Sequence, residues 1–260
     1  RLQGQTLTWK PLIAGLEEGA KYALAIGAAC ACVGLILGTL TLSGLGFKFS
    51  GAVVDLAGQV GGLVQALDPT GLVTDTGAKV FFGLLFVAIA CILMGTGIPT
   101  TPTYIILASI AAPALATLGV PLLATHFFVF YYGVLADVTP PVALAAYAAA
   151  GIAGSEPMRT GLTAFRLSMG KALVPFMFTY TPALLFIDFA WAPFVSAIVA
   201  GAIGILALSA AYTRWWAMTI TRVEQVVLTA GGLILVFNQF WLNVIGIAVV
   251  AITLGMNTLR

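Results

Sequence analysis

From Tyr22 to Leu42 the chain passes through roughly 21 residues without one charged side chain, enough for about 30 Å of α-helix and so for one crossing of a bilayer. Further apolar runs follow almost to the C-terminus. Uncharged runs of this length read as membrane-spanning helices. Composition agrees: 61% of the 260 residues are hydrophobic and only 8% charged. A soluble domain carries about a quarter charged residues and cannot bury this share of apolar side chains. The sequence therefore predicts an all-α integral membrane protein, a polytopic helical bundle held in a lipid bilayer. A scattered net charge of +2 gives no footprint for nucleic acid.

Charges and breakers divide the chain into three regions. Residues 1–76 comprise a lead flanked by Lys10 and Lys21, a first span ended by Ser43-Gly44-Leu45-Gly46, and an interfacial arm helix over 48–67. Asp55, Gln59 and Gln65 make that arm too polar for a lipid-facing span. A polar loop follows over 68–77. Residues 77–154 hold two interrupted apolar segments. Residues 155–260 carry a basic connector (Arg159, Arg166, Lys171) and two spans over 173–189 and 194–212. A second basic connector (Arg214, Arg222) and a final pair of arms pivoting near Asn238 and Asn243 complete the chain. The chain opens at Arg1 with neither Met nor signal peptide and so reads as a fragment of a longer polypeptide.

The central region is the informative one. Apolar arms over 80–94 and 103–118 are each roughly 15 residues, about 23 Å, short of the hydrocarbon thickness. Gly95-Thr96-Gly97-Ile98-Pro99-Thr100-Thr101-Pro102 joins them, and a helix does not continue through two glycines and two prolines. The expectation is a re-entrant hairpin with a polar tip. Next, runs over 122–136 and 142–153 are joined by Asp137-Val138-Thr139-Pro140-Pro141, which predicts one transmembrane helix broken at mid-depth.

Non-helical backbone at membrane depth survives only where protein buries it or a cavity lies beside it, so the two breaks are expected to meet. Discontinuous helices of this kind hold substrate and coupling ion in secondary transporters. Pro140 and Pro141 have no N–H for the carbonyls of Ala136 and Asp137, and Pro99 and Pro102 have none for those of Gly95 and Ile98. Freed carbonyls, the hydroxyls of Thr100 and Thr139 and the Asp137 carboxylate are hard oxygen donors suited to Na⁺. Arm N-termini near Thr103 and Val142 bring positive dipole ends toward an anionic substrate. The expected ion- and substrate-binding residues are Gly95, Thr96, Gly97, Pro99, Thr100, Thr101, Ala136, Asp137, Thr139, Pro140 and Pro141. Of these, Gly95, Thr100, Ala136, Asp137 and Thr139 are the Na⁺ ligands; no organic or metal cofactor is expected beyond the coupling ion.

Plainer readings stand beside these. The threonines can back-bond to their own helices, and Asp137 can cap a helix or pair with a cation. His126 reads as an interfacial packing residue. Cys30, Cys32 and Cys91 read as small apolar fillers, and Trp191, Trp215, Trp216 and Trp241 as interfacial anchors. Placing the 159–171 connector in the cytoplasm puts Arg214 and Arg222 there too and leaves only Lys48 and Lys79 outside, as the positive-inside rule favours.

The runs 95–104 and 137–154 resemble the second repeat of TRAP transporter permeases. The nearest match is to the fused type, whose small and large subunits share one chain and which work with TAXI-type periplasmic solute-binding proteins. The resemblance covers roughly residues 9–185 well, and the remainder is compatible with that type's C-terminal extension. It implies the second inverted repeat of an elevator-type transporter in the bacterial or archaeal cytoplasmic (inner) membrane. It also implies Na⁺-coupled import of a small organic acid. The first repeat, the upstream half of the same permease, is missing from this chain. An ion channel or a structural subunit of a membrane complex is the alternative; a channel needs a pore ring or filter, which is not evident. An intramembrane enzyme would need a nucleophile–base or metal set that one His, three Cys and one deep Asp do not supply.

Overall fold

The computed structural model describes residues 9–67 and 74–259. Most of the expected 68–77 loop and the Arg1 opening lie outside the described residues. The described chain is helical throughout, apart from turns and an isolated bridge between Trp215 and Thr219. Among the described residues four helices are long and apolar enough to cross a membrane: α1 (Trp9–Ser43), α3 (Asp75–Gly95), α10 (Trp191–Thr213) and α12 (Phe240–Leu259).

The amphipathic lead and the first span form one helix, α1, of 35 residues, because nothing between Trp9 and Ser43 interrupts the hydrogen-bond ladder. Gly44, at φ 64°, turns the chain into α2 (Leu45–Ala66). α2 runs antiparallel to α3: Gly61 lies against Ala78 and Lys79, and Ala57 is close to Gly83. Thr74 caps α3 by accepting from the Gly77 N–H, so the first hairpin arm starts at Asp75 and is 21 residues long. That corrects the expected short arm: the cap lies within the expected 68–77 loop.

The second arm is α4 (Thr100–Ile110) followed, after a kink at Ala111, by α5 (Ala112–Thr117). Pro113 cannot donate to Ser109, which ends the α4 ladder there. The two arms fold back on one another, with Gly95 near Thr103 at the tip and Gly83 near Leu118 at the base. α6 (Leu122–Leu135) packs against both, and Leu84, Val87, Cys91, Leu107, Leu115, Phe128 and Val129 form one buried core between them. Past the break come α7 (Leu144–Ala153) and α8 (Pro157–Ser168).

The expected span over 173–189 is not a continuous helix. α9 (Leu173–Tyr180) is only 8 residues long and gives way at Thr181 to a short 3₁₀ turn, Pro182–Leu185. Pro182 disfavours helical backbone at the residue before it, and Thr181 takes φ −129°, ψ 78°. α11 (Arg222–Ile234), opened by a Thr221–Glu224 capping box, and α12 make the final arms. The pivot is Asn238, at φ 46°, while Asn243 lies inside α12. Gly170 abuts Ser209 and Ile205, which places the turn carrying Lys171 beside the end of α10 that leads into Arg214. Trp191, Trp215 and Trp241 are exposed, whereas Trp216 packs on the α10–α12 core.

Candidate functional site

The hairpin tip is shorter than its sequence signature. Backbone is non-helical only over 96–99; Thr100, Thr101 and Pro102 already belong to the first turn of α4. A proline is tolerated there because first-turn N–H groups have no intrahelical acceptor. Thr96 donates to the Leu93 carbonyl (2.9 Å), and Gly97 takes φ 79°, a conformation costly for any residue with a Cβ. Gly97, Pro99, Thr100 and Thr101 are exposed.

The second break starts with a 3₁₀ turn, Ala136–Val138, and stays irregular to Ala143, which is fully buried at φ 32°. The Pro140–Pro141 peptide is cis. Two expectations about freed carbonyls need correction. The Ala136 carbonyl accepts the Thr139 N–H at 3.0 Å, because a 3₁₀ turn shifts the donor from the fourth residue on to the third. The Ile98 carbonyl accepts the Thr103 hydroxyl at 3.1 Å. For Asp137 both shifted positions are proline, Pro140 and Pro141, so neither helical pattern can satisfy its carbonyl.

Side chains at the break are ordered by a few contacts. The buried Thr139 hydroxyl donates to the Leu135 carbonyl (2.8 Å), the back-bonding arrangement, which turns its lone pairs away from that helix. Asp137 is half-buried, and among the described residues no hydrogen bond or ion pair engages its carboxylate. The capping and ion-pairing readings of Asp137 are therefore not seen. Tyr147 donates its hydroxyl to the Pro141 carbonyl at 2.6 Å, clamping the loop from the first turn of α7. Gly161 of α8 closes the other side, where a Cβ would stand 3.5 Å from Pro140 Cγ and 2.9 Å from the Tyr147 ring.

The two breaks lie against each other. A Cβ built on Gly95 would be 2.9 Å from the Ala136 Cβ and 2.9 Å from the Gly133 carbonyl oxygen. Thr103, 2% exposed, puts its methyl 3.3 Å from the Cβ positions of both Gly95 and Gly133. Gly97 faces Val142 at 3.5 Å. Of the expected site residues, Gly95, Gly97 and Ala136 are in this contact; Thr100 and Thr101 stand on the exposed first turn of α4. Thr103, Gly133, Tyr147 and Gly161 were not among them. Their only sequence signal is a small or hydroxyl-bearing residue in an apolar run, which is too common to single out. His126 is more than packing: its Nδ1 lies 2.9 Å from the Tyr104 hydroxyl, linking α6 to α4.

The arrangement offers a carboxylate, a carbonyl without a helical donor and an oriented hydroxyl at one interruption, held against a second interruption by close glycine contacts. Hard oxygen donors of this kind suit a small monovalent cation. The family model described as Tripartite ATP-independent periplasmic transporter, DctM component, matches residues 2–193. No curated protein and no solved structure matches the chain.

Proposed function

The chain belongs to the DctM component family of tripartite ATP-independent periplasmic transporters, and from that premise we propose that it contributes one ion- and substrate-binding half of a Na⁺-coupled importer of organic acids. Membership makes it a multi-pass permease component of a secondary transporter rather than an enzyme, served by a periplasmic solute-binding protein. The finer reading is that this partner is of the TAXI type and that the upstream half of the permease supplies a matching hairpin and broken helix. Transport then proceeds by an elevator motion of the paired interruptions, in a bacterial or archaeal inner membrane with the basic connectors facing the cytoplasm.

One observation carries the proposal: the two interruptions are packed together, with Gly95 against Gly133 and Ala136 and Gly97 against Val142. Asp137 and Thr139 are the Na⁺ donors, and the N-terminal turns of α4 and α7 face the carboxylate of the substrate. The test is uptake of a labelled organic acid by the complete permease in proteoliposomes, with its binding protein present. Uptake should require both the inward Na⁺ gradient and the binding protein. Uptake that persists when the Na⁺ gradient is collapsed would overturn Na⁺ coupling, and flux without the binding protein would favour a channel.

A further inference from the structure

α8 has two opposed faces. On one, Gly161 lies against the unwound loop, 3.4 Å from the Ala143 Cβ and 3.5 Å from Pro140 Cγ when a Cβ is built on it. At about 100° per residue, Arg159 and Arg166 project roughly 140–160° away from Gly161, two turns or about 10 Å apart along one stripe. Both are exposed, and Leu162 and Leu167 flank them at 44% and 59% exposure. Exposed Lys171 follows at the end of the helix. Among the described residues no carboxylate pairs with these three cations. The neighbouring acid, Glu156, accepts from the N–H groups of Met158 (3.0 Å) and Arg159 (2.8 Å) and so is committed to the helix start.

Unpaired guanidinium groups rimmed by apolar side chains suit neither bulk water nor hydrocarbon; they match the headgroup layer of a bilayer. We propose that this face of α8 is a docking surface for an anionic phospholipid. Arg159 and Arg166 take the phosphate, Lys171 adds to the local positive field, and Leu162 and Leu167 lie along the upper acyl chain. Because Gly161 bears on the Pro140–Ala143 stretch, lipid seated on one face of α8 sets the position of the loop on the other. The lipid step stands alone; its effect on the loop rests on the transport reading above.

The purified chain in detergent is offered phosphatidylglycerol or phosphatidylcholine, and retained lipid is counted by native mass spectrometry. Wild type should retain phosphatidylglycerol roughly tenfold over phosphatidylcholine. The double variant R159Q, R166Q, with an unchanged melting temperature, should lose most of that preference. Thr163→Lys, which adds a cation to the same exposed stripe, should raise retention. Equal retention by wild type, an undiminished preference in the double variant, or displacement of the lipid by inorganic phosphate overturns the docking surface. The complete permease in vesicles of either lipid separates the two readings. Uptake indifferent to lipid removes the coupling to the loop and leaves transport standing, whereas no uptake in either lipid strikes the transport reading itself.

Discussion

Gly95 and Ala136, at the edges of different interruptions, are so close that a Cβ on Gly95 would stand 2.9 Å from the Ala136 Cβ, with the Gly133 carbonyl oxygen at 2.9 Å as well. Real Cβ atoms do not approach backbone oxygens this closely, so the register of the hairpin tip against α6 depends on the missing side chain.

Gly95→Ala should therefore move the tip rather than simply fill space. Overpacking of this kind costs about 1–3 kcal/mol, because the obstructing atoms are backbone and Cβ and have no rotamer to escape into. Gly151→Ala is the control: nothing lies within 4 Å of a Cβ there, and alanine in a helix interior is favoured by up to about 1 kcal/mol. Thermal unfolding in detergent should drop for the first and hold or rise for the second, with uptake lost only in the first. Equal stability of the two variants would show that the tip tolerates the methyl.

Tyr147 tests the loop itself. Its hydroxyl reaches the Pro141 carbonyl at 2.6 Å, and Pro141 belongs to the stretch that no helix ladder supports. Tyr147→Phe keeps the ring against Gly161 and removes one hydrogen bond, a loss of about 0.5–1.5 kcal/mol in global stability. The functional loss should be larger than that figure implies, seen as a weaker apparent affinity for Na⁺ at little-changed maximal uptake. If affinity and rate fell together in proportion to stability, Tyr147 would be a packing residue alone.

Both interruptions were legible because glycine and proline act locally: Gly97 needs positive φ, and Pro140 and Pro141 remove donors wherever they stand. What joins them was not legible. Gly95 and Gly133 are 38 positions apart, and nothing in a single apolar sequence distinguishes the glycine that meets another backbone from those, like Gly151, that meet nothing. The Ala136 carbonyl is satisfied for a related reason. Counting donors four residues on presumes an α-helix, and the tighter 3₁₀ turn recruits Thr139 instead. Uniform hydropathy also hid the break at Thr181, where Pro182 was the local cue inside an apolar run.

The C-terminal arms turn on Asn238. Its amide oxygen accepts from Ser196 (3.0 Å) and Asn243 (2.9 Å), its amide nitrogen donates to the Pro193 carbonyl (3.2 Å), and its backbone sits at φ 46°. Asn238→Ala loses the bonds and strains the backbone; Asn238→Gly loses the bonds alone. At about 1 kcal/mol net per bond, both should destabilise the protein by roughly 2–3 kcal/mol, with alanine worse than glycine by about 1 kcal/mol. Equal melting temperatures for the two would mean that the left-handed conformation is not maintained in the variants.

The proposed ion coupling is tested most directly at Asp137. Its carboxylate has no partner among the described residues, its carbonyl faces two prolines, and Thr139 beside it has already given its hydrogen to Leu135. Asp137→Asn keeps the size of the side chain and one oxygen but removes the charge. Since no ion pair is broken, folding should change by no more than about 0.5 kcal/mol, as for substitutions away from structural contacts. A cation stripped of bulk water feels a unit charge a few ångströms away by about 4 kcal/mol at an effective dielectric of 20. Na⁺ dependence should therefore shift to much higher concentration or vanish, while the melting temperature holds. Thr139→Val deletes one neutral oxygen of similar shape and should produce a smaller shift in the same direction. The measurement is uptake against external Na⁺ in proteoliposomes of the complete permease, paired with unfolding of the same preparations. If Asp137→Asn melted early with its Na⁺ curve unmoved, the carboxylate would be structural and the ion would have to be sought elsewhere between the two interruptions.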